Sequence, residues 1–312
     1  MSTKTWAHEP TIALLTVHDA PAPGTPEWAR TVTASKIPAL AGLSSWDSPY
    51  SLWAKATGRA QGEAANPELT ERGEAIEPAL LAWLAGKLGD CTVRAAATYA
   101  RPEHEWAQAT PDGLVYEGRG RSRRRTPYAL VECKTAAHGG EWGEPGTAQI
   151  PPAYLAQVAW QMHVTGARTV YVPALVNPGI RLNLWVVRWE DVADTVPALV
   201  AAAEQWRAQV LEDTPPALDG LAPTWDAVRE MSPDIDPDRT VALDHWDAVE
   251  LHTAKQAAAA AEERLRLAQA RALDAAAGAR TLTDPDGNVI ATLQARKGRD
   301  GEYGRPFLKL AA

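Results

Sequence analysis

The feature that most constrains this chain is the run Tyr128-Ala-Leu-Val131 leading directly into Glu132-Cys133-Lys134. A short apolar, β-favouring stretch behind Pro127 predicts a strand. Along a strand, positions 132 and 134 share one face and Cys133 takes the other. An acid and a base would then look into the same cleft. Upstream, Thr110-Pro111-Asp112-Gly113 opens a second candidate strand, Leu114-Val-Tyr116, and a hairpin between the two brings Asp112 beside Glu132. Two carboxylates so placed suit Mg²⁺, which takes hard oxygen ligands and keeps several waters. A neighbouring lysine can orient a water against a phosphorus atom and offset its charge. The competing reading of Glu-x-Lys is a solvated face of an edge strand; the Pro-Asp-Gly turn in register before it favours a site.

Two helices flank this pair. Arg72-Gly73-x-x-x-Glu77 opens a helix over 74–88 with Ile76, Leu80, Leu81, Leu84 and Leu88 on its buried stripe, stopped by Gly89. Glu77 stands in its first turn, where helix-dipole compensation is an equal explanation for it. Downstream, Pro151-Pro152 opens a helix over 152–165 closed by Gly166. Tyr154, Gln157 and Gln161 fall on one face of it, beside an apolar face of Leu155, Val158 and Met162. Neutral polar groups beside a core stripe can line a site or simply meet solvent.

With these pieces in order, the chain resembles the YqaJ-like viral recombinase and bacteriophage lambda exonuclease family, within the PD-(D/E)XK nuclease superfamily. The blocks that carry the resemblance are Thr33-Ala-Ser-Lys36, Gly42-Leu-Ser-Ser-Trp-Asp-Ser-Pro-Tyr-Ser-Leu-Trp53, Arg72-Gly-x-x-x-Glu77, Thr110-Pro-Asp-Gly113, Leu130-Val-Glu-Cys-Lys134 and Tyr154-Leu-Ala-Gln-Val158. The resemblance implies an α/β core with a central mixed sheet flanked by helices. Asp112 and Glu132 become the metal carboxylates, with the main-chain carbonyl of Cys133 as a further ligand. Glu77 sits near the metal directly or through water, Lys134 activates the attacking water, and Gln157 orients it or the scissile phosphate. Ser35 and Thr110 would contact a terminal 5′ phosphate, and Tyr154 and Gln161 would meet DNA. The cofactor implied is Mg²⁺, with Mn²⁺ able to substitute. The activity implied is digestion of one strand of linear double-stranded DNA, 5′ to 3′, leaving a 3′ strand for a single-strand annealing protein. A homo-oligomer, trimeric in this family, and a cytoplasmic setting go with it. Alternatives are another PD-(D/E)XK endonuclease or repair nuclease, or a non-catalytic DNA-binding protein on that fold. One departure is the long connection from Asp112 to Glu132.

That connection holds Arg119, Arg121, Arg123, Arg124 and Arg125 in a chain of net charge −8. Proteins that grip DNA by bulk electrostatics are usually basic. A local basic patch on an acidic body fits an enzyme that encloses DNA better than one that coats it; a merely solvated loop is the other reading. Two cysteines, Cys91 and Cys133, exclude a disulfide framework and a four-cysteine cluster. No phosphate-binding Gly-x-x-x-x-Gly-Lys loop occurs, and neither a signal peptide nor a membrane span is expected.

Punctuation along the chain predicts four regions. Residues 1–29 form a proline-rich lead-in, 30–213 the catalytic domain, 214–240 a Pro- and Asp-rich linker with one short helix near Trp225, and 241–312 a separate tail. Strands are expected at 91–99, 113–117, 128–134, 169–176 and 182–189, with a further helix at 191–212. The tail is expected to hold an Ala-rich helix to about 277 and then a hairpin turning at an Asp-Gly pair, for packing or assembly rather than chemistry.

Overall fold

The computed structural model describes residues 15–61, 67–101, 103–119, 126–137, 139–176, 181–232, 234–297 and 302–311. Arg121, Arg123, Arg124 and Arg125 therefore lie outside the described residues, as do residues 1–14 of the lead-in. The chain divides into two compact units, 1–233 and 234–312.

In the first unit the elements follow as β1 (Leu15–Thr16), α1 (Pro26–Arg30), β2 (Val32–Thr33), α2 (Ile37–Leu40), α3 (Pro49–Ala56), α4 (Pro67–Leu88), β3 (Cys91–Ala95), β4 (Tyr99–Arg101), β5 (His104–Ala109) and β6 (Gly113–Glu117). They continue as β7 (Ala129–Val131), β8 (Lys134–Ala136), α5 (Pro152–Thr165), β9 (Thr169–Val176), β10 (Arg181–Arg188), α6 (Trp189–Val192), α7 (Val196–Leu211) and α8 (Ala222–Met231). The central sheet runs β10-β9-β7-β6-β3, with β8 beside β9. It is mixed: β7 and β9 are parallel, joined through α5, and the remaining central pairs along that path are antiparallel. Alternation along the strands gives it two buried faces. Leu84 of α4 packs with Val115, Ala129, Val131 and Tyr171 on one. Val158, Ala159 and Met162 of α5 join Leu114, Leu130, Val170 and Val172 in the larger cluster on the other. The expected α/β layered core is thus present, as is α5 over the residues read from sequence.

The expected 128–134 strand is interrupted. Val131 pairs with Tyr171 and Lys134 with Ala174, so the register against β9 is kept across the gap. Between them, the Cys133 N–H leaves the ladder for the Asp112 carboxylate. A second sheet, β1-β4-β5-β2, was not foreseen in this form. The expected 91–99 run stops at Ala95, and β5 carries Glu, Gln and Ala, which favour strands poorly; pairing rather than propensity makes it a strand. Helix α4 begins well before residue 74, at Pro67. The 191–212 helix is split, with Pro197 in the first turn of α7.

Within the segment expected as a linker, the short helix near Trp225 is formed as α8 (Ala222–Met231). Helix α8 packs on α3, where the buried Thr224 hydroxyl donates to Ser48 Oγ at 2.7 Å. The lead-in is likewise structured from residue 15. Lys36 is buried and donates from Nζ to the carbonyls of Trp28, Ala29 (3.0 Å) and Thr31 (2.7 Å), closing the C-terminal end of α1. Its ammonium also stands 4.1 Å from the centre of the Trp28 ring.

The second unit holds α9 (His245–Ala276), capped by the Asp244 side chain, and the strands β11 (Thr281–Thr283), β12 (Val289–Gln294) and β13 (Phe307–Leu310). The Asp-Gly hairpin is formed; β13, which completes a three-stranded sheet, was not foreseen.

Candidate active site

The pairing of Gly113 with Val131 sets Asp112 opposite Glu132 at the open end of the β6–β7 ladder. Gly113 is there by steric need. A Cβ on it would lie 2.9 Å from Leu81 Cδ2 and 3.1 Å from the Arg94 carbonyl. Asp112 Oδ2 accepts from the Cys133 N–H at 2.5 Å, a backbone donor freed by the break between β7 and β8.

Because 130, 132 and 134 alternate to the α5 side, Glu132 and Lys134 face the helix that carries the two glutamines. Lys134 Nζ donates to Glu132 Oε1 at 2.7 Å and to Gln157 Oε1 at 2.9 Å. Gln157 Nε2 closes the triangle on Glu132 Oε1 at 2.6 Å. Gln161, one turn further along, donates to the other oxygen, Oε2, at 2.6 Å. Tyr154 places its half-buried ring 4.7 Å below Lys134 Nζ. Of the predicted face of α5, Gln157 and Gln161 converge on one carboxylate, and Tyr154 meets its lysine partner.

Gln161 requires a correction. It was expected to touch DNA, but it is 0 % exposed, and no phosphate can reach it. Its side-chain amide instead donates to Glu132. The i, i+4 spacing from Gln157 carried that information, since two residues one turn apart can reach both oxygens of a single carboxylate.

Gly73, Glu77, Leu80, Asp112, Glu132, Cys133, Lys134 and Thr135 line a cavity of about 170 Å³. Burial, then the charge of Glu132, push the Asp112 carboxyl up to about 8, against the opposing pull of the Cys133 N–H and Lys134. Burial and Glu132 likewise raise Glu77. Burial opposes the charge on Lys134, but its ion pair and hydrogen bond with Glu132 outweigh this and raise it. Three crowded acids around one cavity are a site that a cation would relax. Among the described residues, no three His, Cys, Asp or Glu side chains converge closely enough to enclose an ion by themselves. The arrangement fits a metal held by two carboxylates and completed by water, as Mg²⁺ commonly is. Asp112 and Glu132 would hold it, with Glu77 on the wall of the same cavity.

Ser35 and Thr110 occupy a separate place. β2 and β5 run parallel, with Thr33 opposite Gln108, so Ser35 and Thr110 both follow the ends of adjacent strands. Ser35 Oγ lies 3.0 Å from Thr33 Oγ1, and Thr110 Oγ1 lies 2.8 Å from Thr98 Oγ1. Thr33 and Thr98 were not singled out from sequence. Arg119 is exposed just beyond β6.

The chain is similar to known proteins over part of its length. The alkaline exonuclease LHK-Exo from Laribacter hongkongensis is 19 % identical over 59 % of this chain and 91 % of its own, with a TM-score of 0.41. Its complex with dAMP gives 18 % identity, the same coverage and the same TM-score. No curated protein matches the chain. The family model of the YqaJ-like viral recombinase domain matches residues 28–168, a span that contains Ser35, Glu77, Asp112, Glu132, Lys134, Gln157 and Gln161.

Proposed function

We propose that this chain is a Mg²⁺-dependent exonuclease that degrades one strand of linear double-stranded DNA from the 5′ end. The observation that carries the reading is the Glu132–Lys134–Gln157 triangle facing Asp112 across an open ladder end. Bound between the carboxylates, the metal would lower the pKa of a water and neutralise charge on the phosphate. Lys134, held by Glu132 and Gln157, can direct a donor at that water or at a phosphate oxygen. Gln157 keeps both partners in place. Tyr154 shields the lysine on one side.

The hydroxyls of Ser35 and Thr110, after adjacent strand ends, are assigned to the terminal 5′ phosphate, and Arg119 with the arginines that follow to the DNA backbone. The product, a 3′ single strand, is the substrate for an annealing protein. Self-association, a cytoplasmic setting and tolerance of Mn²⁺ belong to the same reading.

The test is incubation of purified protein with end-labelled linear DNA carrying 5′-phosphate or 5′-hydroxyl ends, and with covalently closed circles, with and without Mg²⁺. The expected result is Mg²⁺-dependent loss of linear DNA, faster from 5′-phosphate ends, with circles intact. Cleavage of circles would make the chain an endonuclease. Equal rates on both ends would remove the assignment of Ser35 and Thr110. No cleavage with any divalent metal would leave a binding protein.

A further inference from the structure

Helix α9 carries a seam that its own unit leaves bare. Positions 251, 254, 258, 261, 265 and 268 follow the alternating spacing of three and four that marks a coiled-coil stripe, and they read Leu, Ala, Ala, Ala, Leu, Ala. The small sheet meets the C-terminal part of the helix, where Pro306, Phe307 and Leu308 share a cavity with Gln269, Ala270 and Leu273 and where Ala276 is buried. Leu251 is 65 % exposed and Leu265 49 %. Two large apolar side chains repeated along an alanine-lined face are a surface made for another helix.

The sequence of the stripe selects which helix. Take a second copy of α9 laid antiparallel, with Ala258 of one against Ala261 of the other. Leu251 then meets Ala268 of the second copy, and Leu265 meets Ala254. Each leucine faces an alanine, and the two central layers pair alanine with alanine, which lets the two backbones approach closely. The flanking charges fall into the same register. Lys255 faces Glu262 of the second copy, and Glu250 faces Arg271, each contact made twice by symmetry. All four of these side chains are exposed, and the ion pair of Glu262 with Arg266 of its own helix is long, 3.7 Å. A parallel pairing would instead stack leucine on leucine and alanine on alanine, leaving gaps in most layers, and would match only Glu250 with Lys255.

We propose that α9 is a self-association helix, pairing two copies of this chain through an antiparallel Leu/Ala seam at 251–268. The seam covers eighteen residues, about 27 Å of helix. It lies in the 234–312 unit and is a contact separate from any self-association of the nuclease domain, so it stands whether or not the nuclease reading does.

The experiment is sedimentation of the full chain over a range of concentrations, with circular dichroism confirming that helix content is kept. Lys255→Glu sets two pairs of like charges against one another and should weaken self-association about tenfold or more. Adding Glu262→Lys should restore it, because the pair is then reversed in both copies. In a parallel pairing Lys255 faces Glu250, so rescue would come from Glu250→Lys instead. Ala258→Arg, at the centre of the seam, should abolish pairing. The proposal is overturned if the parent chain stays monomeric, if Lys255→Glu and Ala258→Arg leave association unchanged, or if Glu250→Lys rescues where Glu262→Lys does not. DNA cleavage should be unaffected in these variants at concentrations where the parent is dissociated.

Discussion

Gln161 donates its side-chain amide to Glu132 Oε2 from a position with no solvent exposure, while Lys134 and Gln157 share Oε1. A carboxylate fixed at both oxygens cannot rotate. Three donors leave one lone pair, on Oε2, and it keeps one direction, which a metal ligand needs and a surface acid does not have. Replacing Gln161 with Leu preserves the volume and removes the donor. The expected outcome is a rate loss of about 10- to 100-fold with weaker apparent Mg²⁺ affinity. A Mg²⁺ titration by calorimetry, alongside the KM for DNA, checks it. A change in DNA KM alone would return Gln161 to the DNA side.

Asp112→Asn and Glu132→Gln test the metal carboxylates. Cleavage should fall by about three orders of magnitude or more, and calorimetric Mg²⁺ binding should be lost. Asp112→Asn should not destabilise the apoprotein, because the carboxyl is buried beside Glu132 and Glu77, and an amide oxygen can still accept from the Cys133 N–H. Thermal unfolding separates this outcome from simple misfolding. Wild-type cleavage in either variant would remove the site.

Gly113→Ala should destabilise the first unit by about 1–3 kcal/mol, since the new methyl meets Leu81 and the backbone carbonyl of Arg94. Urea denaturation measures it. Leu81→Ala in the same chain should recover part of the loss by giving the methyl room, whereas a purely conformational effect of glycine would not respond.

His163 supplies a pH dependence outside the site. Burial, then the nearby Arg101 and His104, lower its pKa to about 4, with Glu103 acting the other way. Between about 4 and the ordinary value near 6.5, the unfolded chain takes up a proton that the fold does not. Stability contributed by the neutral ring is therefore complete above about pH 7 and falls as pH drops through that window. The loss expected at pH 5, after solvent screening, is on the order of 1 kcal/mol. Denaturant midpoints at pH 7 and pH 5 should converge in His163→Gln.

The legible parts of the sequence were those in which one local signal decides the outcome. Pro151-Pro152 and Gly166 bracketed α5, and alternation through Leu130, Glu132 and Lys134 placed acid and base on one face. What could not be read came from partners distant in sequence. β5 is a strand because β4 and β2 pair with it, and α8 is docked because Thr224 meets Ser48 across 176 positions. Gln161 fell between these cases. Its face was predictable, but its burial was set by where the sheet put Glu132.

Lys36 turns its charge inward, onto the carbonyls that end α1 and the face of Trp28. Ser35, its neighbour, faces solvent without that ammonium beside it. An anion captured next to Ser35 would be recognised by the direction of hydroxyl and amide donors more than by the charge of this lysine. On the 5′-phosphate assignment proposed above, such a locus would discriminate through the third non-bridging oxygen, which a terminal phosphate offers and an internal one does not. Its selectivity for ends should therefore persist at ionic strengths that weaken the grip on the rest of the duplex.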